Sequence, residues 1–335
     1  MGGLPSPEWS LDAMVEPAVL GHAHLMDQDR IHRTGGRLVC GLGSDDGASR
    51  VAGVAARLGA DLSCGVTLVH VMDSVQPLPL GVRPKIPASA RKARRGLATV
   101  TSLHDFPPRT RVRVEWGDPV ESLAEVASDE DAELLVVGSS DPRGLASLLP
   151  GGTAKALIRK SPCPVVVVPP DAVRPPDSGP LPSVVCGVEG GELDASILRL
   201  AADVARRLDA ELHAVHTFNP FALSAGVMAP APPIDLDFRE AAERTLADAL
   251  EEAGVTAHEH VLDIPPELAL RRIAGEERAG LIVVGAGKRS RLGALLQGSV
   301  PIRLAKEGHT ALLVLPEVAR LESGSGHYEL DSSAA

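Results

Sequence analysis

Leu134-Leu135-Val136-Val137-Gly138 and Leu281-Ile282-Val283-Val284-Gly285 are one aliphatic run ending in glycine, written twice at a separation of 147 residues. Other landmarks repeat with them. Leu38-Val39-Cys40-Gly41-Leu42 matches Val184-Val185-Cys186-Gly187-Val188 at a separation of 146, and Gly151 matches Gly298 at 147. Cys163-Pro164-Val165-Val166-Val167-Val168-Pro169 faces His309-Thr310-Ala311-Leu312-Leu313-Val314-Leu315-Pro316. The same landmarks in the same order, at a nearly constant offset, mark an internal duplication.

The copies span 37–170 and 183–316. They are flanked by an N-terminal extension (1–36) and a tail (317–335) expected to be disordered. A stiff Pro-rich linker (171–182) separates them. In copy one, strands are expected near 37–42, 65–71, 110–115, 133–138 and 164–168, with helices near 46–59, 88–104, 118–128 and 151–160. Copy two repeats this with strands near 183–188, 211–217, 256–262, 280–285 and 310–315, and helices near 193–208, 235–254, 266–277 and 298–307. Leu193, Ile197, Leu200, Ala201, Val204 and Leu208 share one helical face. Pro119 and Pro266 fall in a first helical turn, where proline is tolerated. Strand–helix alternation with right-handed crossovers predicts an α/β chain: two tandem doubly wound, Rossmann-like domains, each a five-stranded parallel sheet with helices on both faces. Ligands of such sheets bind beyond the carboxyl ends of the strands.

Composition agrees. Hydrophobic residues make up 44% of the 335, aromatics only 2%, so the cores must be aliphatic, as parallel sheets prefer. A net charge of −11 argues against nucleic acid or an anionic membrane as partner. The basic run Arg91-Lys92-Ala93-Arg94-Arg95 reads as a solvated helix face. No CxxC pair occurs among the four cysteines. Glu8, Asp12 and Glu16 stand where a secretory leader would be basic and then apolar. A cytoplasmic protein is expected.

Chemistry concentrates after strand four. In copy two Gly285-Ala286-Gly287-Lys288-Arg289-Ser290-Arg291 leads through Leu292–Gln297 to Gly298-Ser299-Val300. Glycines let backbone amides approach a phosphate, the helix start adds free donors, and the cations add charge. Copy one offers Gly138-Ser139-Ser140-Asp141, then Gly151-Gly152-Thr153. The bland reading is that these glycines only make a turn and Ser299 only caps a helix.

These loops, the strand-one segments and the closing valine run resemble the universal stress protein family. That resemblance implies a Gly-x2-Gly-x9-Gly-(Ser/Thr) phosphate loop and an acid after strand one that contacts base or ribose. Lys288 and Asp141 stand at a glycine position of the loop motif, while Gly298 and Ser299 match its end. Glu189, in Val188-Glu189-Gly190, takes the strand-one acid position; Gly43 takes it in copy one. An aspartate beside a polyphosphate is unfavourable, so copy two is the better site for ATP or another adenine nucleotide. The resemblance also implies that the two domains pack on each other through their fifth strands, and it allows a homodimer.

His70 and His216, at the end of strand two in each copy, are read as pocket-wall or structural groups. His22-Ala23-His24 and His258-Glu259-His260 lack an evident third ligand and read as surface histidines. The Gly117-Asp118-Pro119 turn reads as pocket rim. No Ser-His-Asp order, paired-carboxylate motif, Walker loop or full dinucleotide fingerprint is present. The reading is a regulatory stress-response nucleotide-binding module. Its rivals are a partner-binding module that has lost its nucleotide, and a slow ATP hydrolase.

Overall fold

The structure is a computed structural model. It describes residues 36–43, 47–72, 88–139, 152–172, 181–191, 193–218, 236–286 and 300–316. The N-terminal extension, the tail and most of both phosphate-loop candidates lie outside them. Repeat one contains β1 (Arg37–Gly41), α1 (Ala48–Asp61), β2 (Gly65–Met72), α2 (Ala88–Ser102), β3 (Arg111–Trp116), α3 (Pro119–Asp129), β4 (Ala132–Gly138), α4 (Gly152–Lys160) and β5 (Val165–Val168). Repeat two contains β6 (Ser183–Val188), α5 (Asp194–Arg207), β7 (Glu211–Thr217), α6 (Leu236–Ala253), β8 (His258–Leu262), α7 (Pro266–Glu276), β9 (Leu281–Gly285), α8 (Val300–Glu307) and β10 (Ala311–Leu315). The expected elements are all there, with ends displaced by one or two residues.

Within each repeat the strands are parallel, in the order 3-2-1-4-5 of a doubly wound fold. The two sheets form one. β5 and β10 pair antiparallel, with Leu312 opposite Val167, Leu313 opposite Val166 and Val314 opposite Val165. The full order is β3-β2-β1-β4-β5-β10-β9-β6-β7-β8. Two apolar layers cover its faces, and each runs through both repeats. Leu58, Leu68, Leu198 and Leu246 belong to one; Leu135, Leu157, Ile273 and Leu304 belong to the other. Arg91, Lys92, Arg94 and Arg95 are exposed on α2.

Local chemistry explains the ends. Asp118 caps α3 by accepting from the amides of Val120 and Glu121, with Pro119 at the first position, where its missing N–H costs nothing. α1, α3, α5 and α7 are followed by left-handed residues: Ser63, Asp131, Asp209 and Arg278, with φ between 51° and 56°. The same strained turn thus recurs at matching points of both repeats without glycine.

One side chain ties the repeats together. Arg207, the last residue of α5, donates to Glu133 Oε2 at 2.8 Å, to the Leu62 carbonyl at 2.6 Å and to Cys64 Sγ at 3.5 Å. Burial pushes the Glu133 carboxyl above the ordinary carboxylate range, although Arg207 and the Cys64 thiol pull it back. Burial also raises the Cys64 thiol to about 11, with Glu133 adding to it.

Removing one partner of a buried ion pair strands the other. Arg207→Met should therefore destabilise the chain by about 3 kcal/mol in urea denaturation at pH 8. A carboxyl whose folded pKa is raised loses stability as pH rises through that pKa. The deficit of Arg207→Met should accordingly shrink at pH 5. An equal deficit at both pH values would show that Glu133 is not the stranded charge.

Candidate functional site

A cleft opens at the carboxyl ends of β6, β7 and β9. Val188 and Glu189 close one side, His216 and Thr217 another, and Gly285 and Val300 a third. The described residues enclose roughly 210 Å³. This is where a doubly wound sheet places its ligands.

Each wall has a local cause. A Cβ on Gly187 would lie 3.3 Å from both Leu270 Cδ1 and Val284 Cγ1, so glycine lets α7 close against the sheet beneath the cleft. His216 Nδ1 lies 2.8 Å from the Val188 carbonyl. A carbonyl only accepts, so Nδ1 carries the proton, and in the neutral ring Nε2 is left as an acceptor. His70 makes the same bond to the Leu42 carbonyl at 2.8 Å. These histidines therefore tether strand two to the end of strand one in both repeats.

The loop after β6 is held by Asp194, the first residue of α5 and only 3% exposed. Its carboxylate accepts from the amides of Glu189 at 3.2 Å, Gly190 at 2.6 Å and Gly191 at 2.7 Å. Three successive amides around one carboxylate form an anion nest. Gly190 has φ of +85°, a conformation that favours glycine. Asp194 thus fixes the segment that carries Glu189 into the cleft.

Repeat one repeats the frame with different contents. A Cβ on Gly41 would lie 2.8 and 3.0 Å from the two methyls of Leu123, closer than the matching contacts of Gly187. Gly43 brings no carboxylate where repeat two has Glu189. Gly138 ends β4, and its Cβ position is 3.1 Å from Val51. Gly152 and Thr153 open α4; around the Cβ position of Gly152 there is open space.

Of the residues expected to bind, the fold gathers Val188, Glu189, His216, Gly285 and Val300 on one cleft. Gly190 adjoins it through the Asp194 loop. Gly138, Gly152 and Thr153 belong to the other repeat. Gly151, Gly287, Lys288, Arg289, Gly298 and Ser299 lie outside the described residues. Sequence reasoning missed Asp194, Thr217 and Leu270. An aspartate opening a helix just after a Gly-Gly pair was the available signal for Asp194. Possible metal ligands gather elsewhere, at the outer edge of repeat two, where His213, His260 and Glu277 meet.

Asp194→Ala removes the acceptor of three amides. A loss of about 2 kcal/mol is expected from thermal or urea denaturation, with Asp194→Asn costing less. An Asp194→Ala chain as stable as the parent would show that solvent satisfies the loop equally well.

The comparisons agree with this architecture. A family model described as "Universal stress protein family" matches residues 36–169 and again 182–316. A universal stress protein of Mycobacterium tuberculosis strain H37Rv is 32% identical over 195 residues, covering 55% of this chain and 61% of that relative's own length. A universal stress protein structure from Pseudomonas aeruginosa UCBPP-PA14 (described as putative) superposes with a TM-score of 0.57 at 18% identity, over 88% of this chain and 99% of its own. One from Archaeoglobus fulgidus DSM 4304 gives 0.56 at 14% identity, over 84% and 96%. At such identities the two structures speak for the fold alone. The family model covers most of the chain in two consecutive copies, and the chain belongs to the universal stress protein family.

Proposed function

We propose that repeat two is a regulatory adenine-nucleotide site of a cytoplasmic stress-response module, and that repeat one serves mainly as its structural partner. The observation that carries this reading is the cleft itself. It lies at the carboxyl ends of β6, β7 and β9, with an acid (Glu189) on one wall and the start of α8 (Val300) on another. In that arrangement Glu189 takes the base or ribose. The loop containing Lys288 and Arg289, ending at Gly298-Ser299, takes phosphate at the start of the helix. The volume bounded by the described residues suits one moiety of a nucleotide; whole ligand pockets run to about 300–1,000 Å³. A regulatory rather than catalytic role accords with the sequence, which carries no Ser-His-Asp order, paired-carboxylate motif or Walker loop; His216 ties β7 to the end of β6 through Nδ1.

Repeat one supports the unequal assignment. Leu123 presses closer to Gly41 than Leu270 does to Gly187, and Gly43 replaces the acid. The repeats divide at the 171–182 linker, and they act as one unit joined through β5 and β10. All four cysteines are buried free thiols, in keeping with a reducing compartment.

Freshly purified chain, denatured and assayed by mass spectrometry, should release about one adenine nucleotide per chain. Added ATP at a hundred times its Kd should stabilise the chain by about 2.7 kcal/mol. Substituting Gly298→Val and Ser299→Val together should abolish both effects while the chain stays folded. Two nucleotides per chain would overturn the unequal assignment. No released nucleotide and no thermal shift with millimolar ATP would overturn the nucleotide reading, and the chain would then be an interaction module.

A further inference from the structure

The outer edge of repeat two holds a cluster that the nucleotide reading does not use. His213 lies on β7, while His258 and His260 lie on the neighbouring edge strand β8. His213 is opposite His258 in the strand register, and Val215 is opposite His260. Glu277 caps the end of α7, and Glu211 begins β7. His213 Nδ1 is 3.0 Å from His260 Nε2. One ligand atom from each of His213, His260 and Glu277 lies within 4.8 Å of the other two. His258 stacks on His213 with ring centroids 4.9 Å apart.

Two observations set this cluster apart from a chance meeting of edge-strand side chains. His213 is only 4% exposed, and its Nε2 is buried without a hydrogen-bond partner. That nitrogen faces the Glu211 and Glu277 carboxylates at 3.8 and 4.0 Å, too far for hydrogen bonds. The second observation is internal. The same positions of repeat one carry Thr67, Arg113 and Glu130. There Arg37 and Arg113 place permanent positive charge on the Glu130 carboxylate, at 3.5 and 3.3 Å, and Thr67 also donates to it. Repeat two keeps the acid but replaces arginine by histidine at 260 and threonine by histidine at 213, and Ser183 stands where repeat one has Arg37. The acid has lost its built-in cations and has two imidazoles nearby in their place.

We propose that His213, His260 and Glu277 form a binding site for a divalent transition cation of the zinc class. Two imidazoles and a carboxylate are a common donor set for such ions. Tetrahedral zinc ligands lie roughly 3.3 Å apart, so the three donors, now within 4.8 Å of one another, close around the ion, and His213 ligates through Nε2, the nitrogen that faces Glu277. Three protein ligands leave a position for water, with Glu211 standing nearby. Burial holds His213 and His260 below the ordinary imidazole range; His258 pushes both the same way and His213 pushes His260, while Glu277 opposes in both, Glu211 in His213 and Glu276 in His260. The bound ion clamps β7, β8 and the end of α7.

The test uses the full chain, stripped with EDTA and titrated with Co²⁺ as a visible-absorbing probe, then with Zn²⁺ in competition. One equivalent of Co²⁺ should give a d–d band that Zn²⁺ displaces, and Zn²⁺ should raise the melting temperature. His260→Gln and Glu277→Gln, both at partly exposed residues, should each weaken binding at least tenfold. Because His213 is buried, its arm is the double variant His213→Thr with His260→Arg, which restores the side chains of repeat one. It should fold normally by circular dichroism and give no band. Absence of a band in the parent chain would overturn the site. So would Co²⁺ affinity unchanged in His260→Gln and Glu277→Gln, which would place the ion on other histidines of the chain.

Discussion

The antiparallel ladder between β5 and β10 governs the rest of the molecule. Val165 to Val168 are at most 2% exposed, and Leu312 to Val314 are fully buried. A strand that is aliphatic on both faces cannot be left as the free edge of a sheet, because its unpaired backbone would invite other chains. Pairing the two fifth strands removes two such edges at once. It also makes β3 and β8 the outermost strands. These are the least buried strands of the sheet and carry Arg111, Arg113 and Glu115 on one side, His258, Glu259 and His260 on the other. Charged and titratable residues at an edge are a known guard against unwanted pairing, and the polar clusters of both repeats grow from these strands.

Much of this was legible in the sequence because its signal is periodic and local. Aliphatic runs marked the buried strands, the constant offset marked the duplication, and Pro119 and Pro266 marked helix starts. The left-handed turns at Ser63, Asp131, Asp209 and Arg278 were not legible, since none is glycine and all four are ordinary polar residues just past helix ends. Their conformation is imposed by the strand that must follow. The Arg207–Glu133 pair joins residues 74 apart in the chain, from different repeats. Nothing in either neighbourhood announces the other. The histidine cluster failed to show for the same reason: His258-Glu259-His260 is visible as a motif, but His213 and Glu277 reach it only through strand register and a helix end. The cleft was half legible. Strand ends located it; the nest built by Asp194 required the fold.

The repeats also show which positions a duplicated scaffold holds constant. Beneath the sheet, Cys40 and Cys186, Leu135 and Ile282, and Leu123 and Leu270 remain apolar and of similar size, as close packing demands. At strand ends and edges the pairs diverge: Gly43 against Glu189, Thr67 against His213, Arg113 against His260. The apolar core holds the first group to one size and character; the second lies at strand ends or among polar side chains, where chemistry changed even at the buried pair Thr67 and His213. The Arg207–Glu133 tie is itself one-sided, because the positions related by the duplication are Asp61 and Gly280. A Cβ on Gly280 would lie 2.5 Å from Leu181, which fills that space instead.

Because β5 and β10 run in opposite directions, every strand of repeat one opposes every strand of repeat two. The carboxyl ends of the two sets point to opposite long edges of the sheet. The strand ends that frame the cleft of repeat two and the matching strand ends of repeat one therefore face opposite ways. Among the described residues, influence of one on the other can run through the central ladder, through the apolar layers that span both repeats, or through the contacts of Arg207 with Glu133 and Leu62. The molecule is in this sense a two-ended lever with its fulcrum at six buried aliphatic side chains, three from each half.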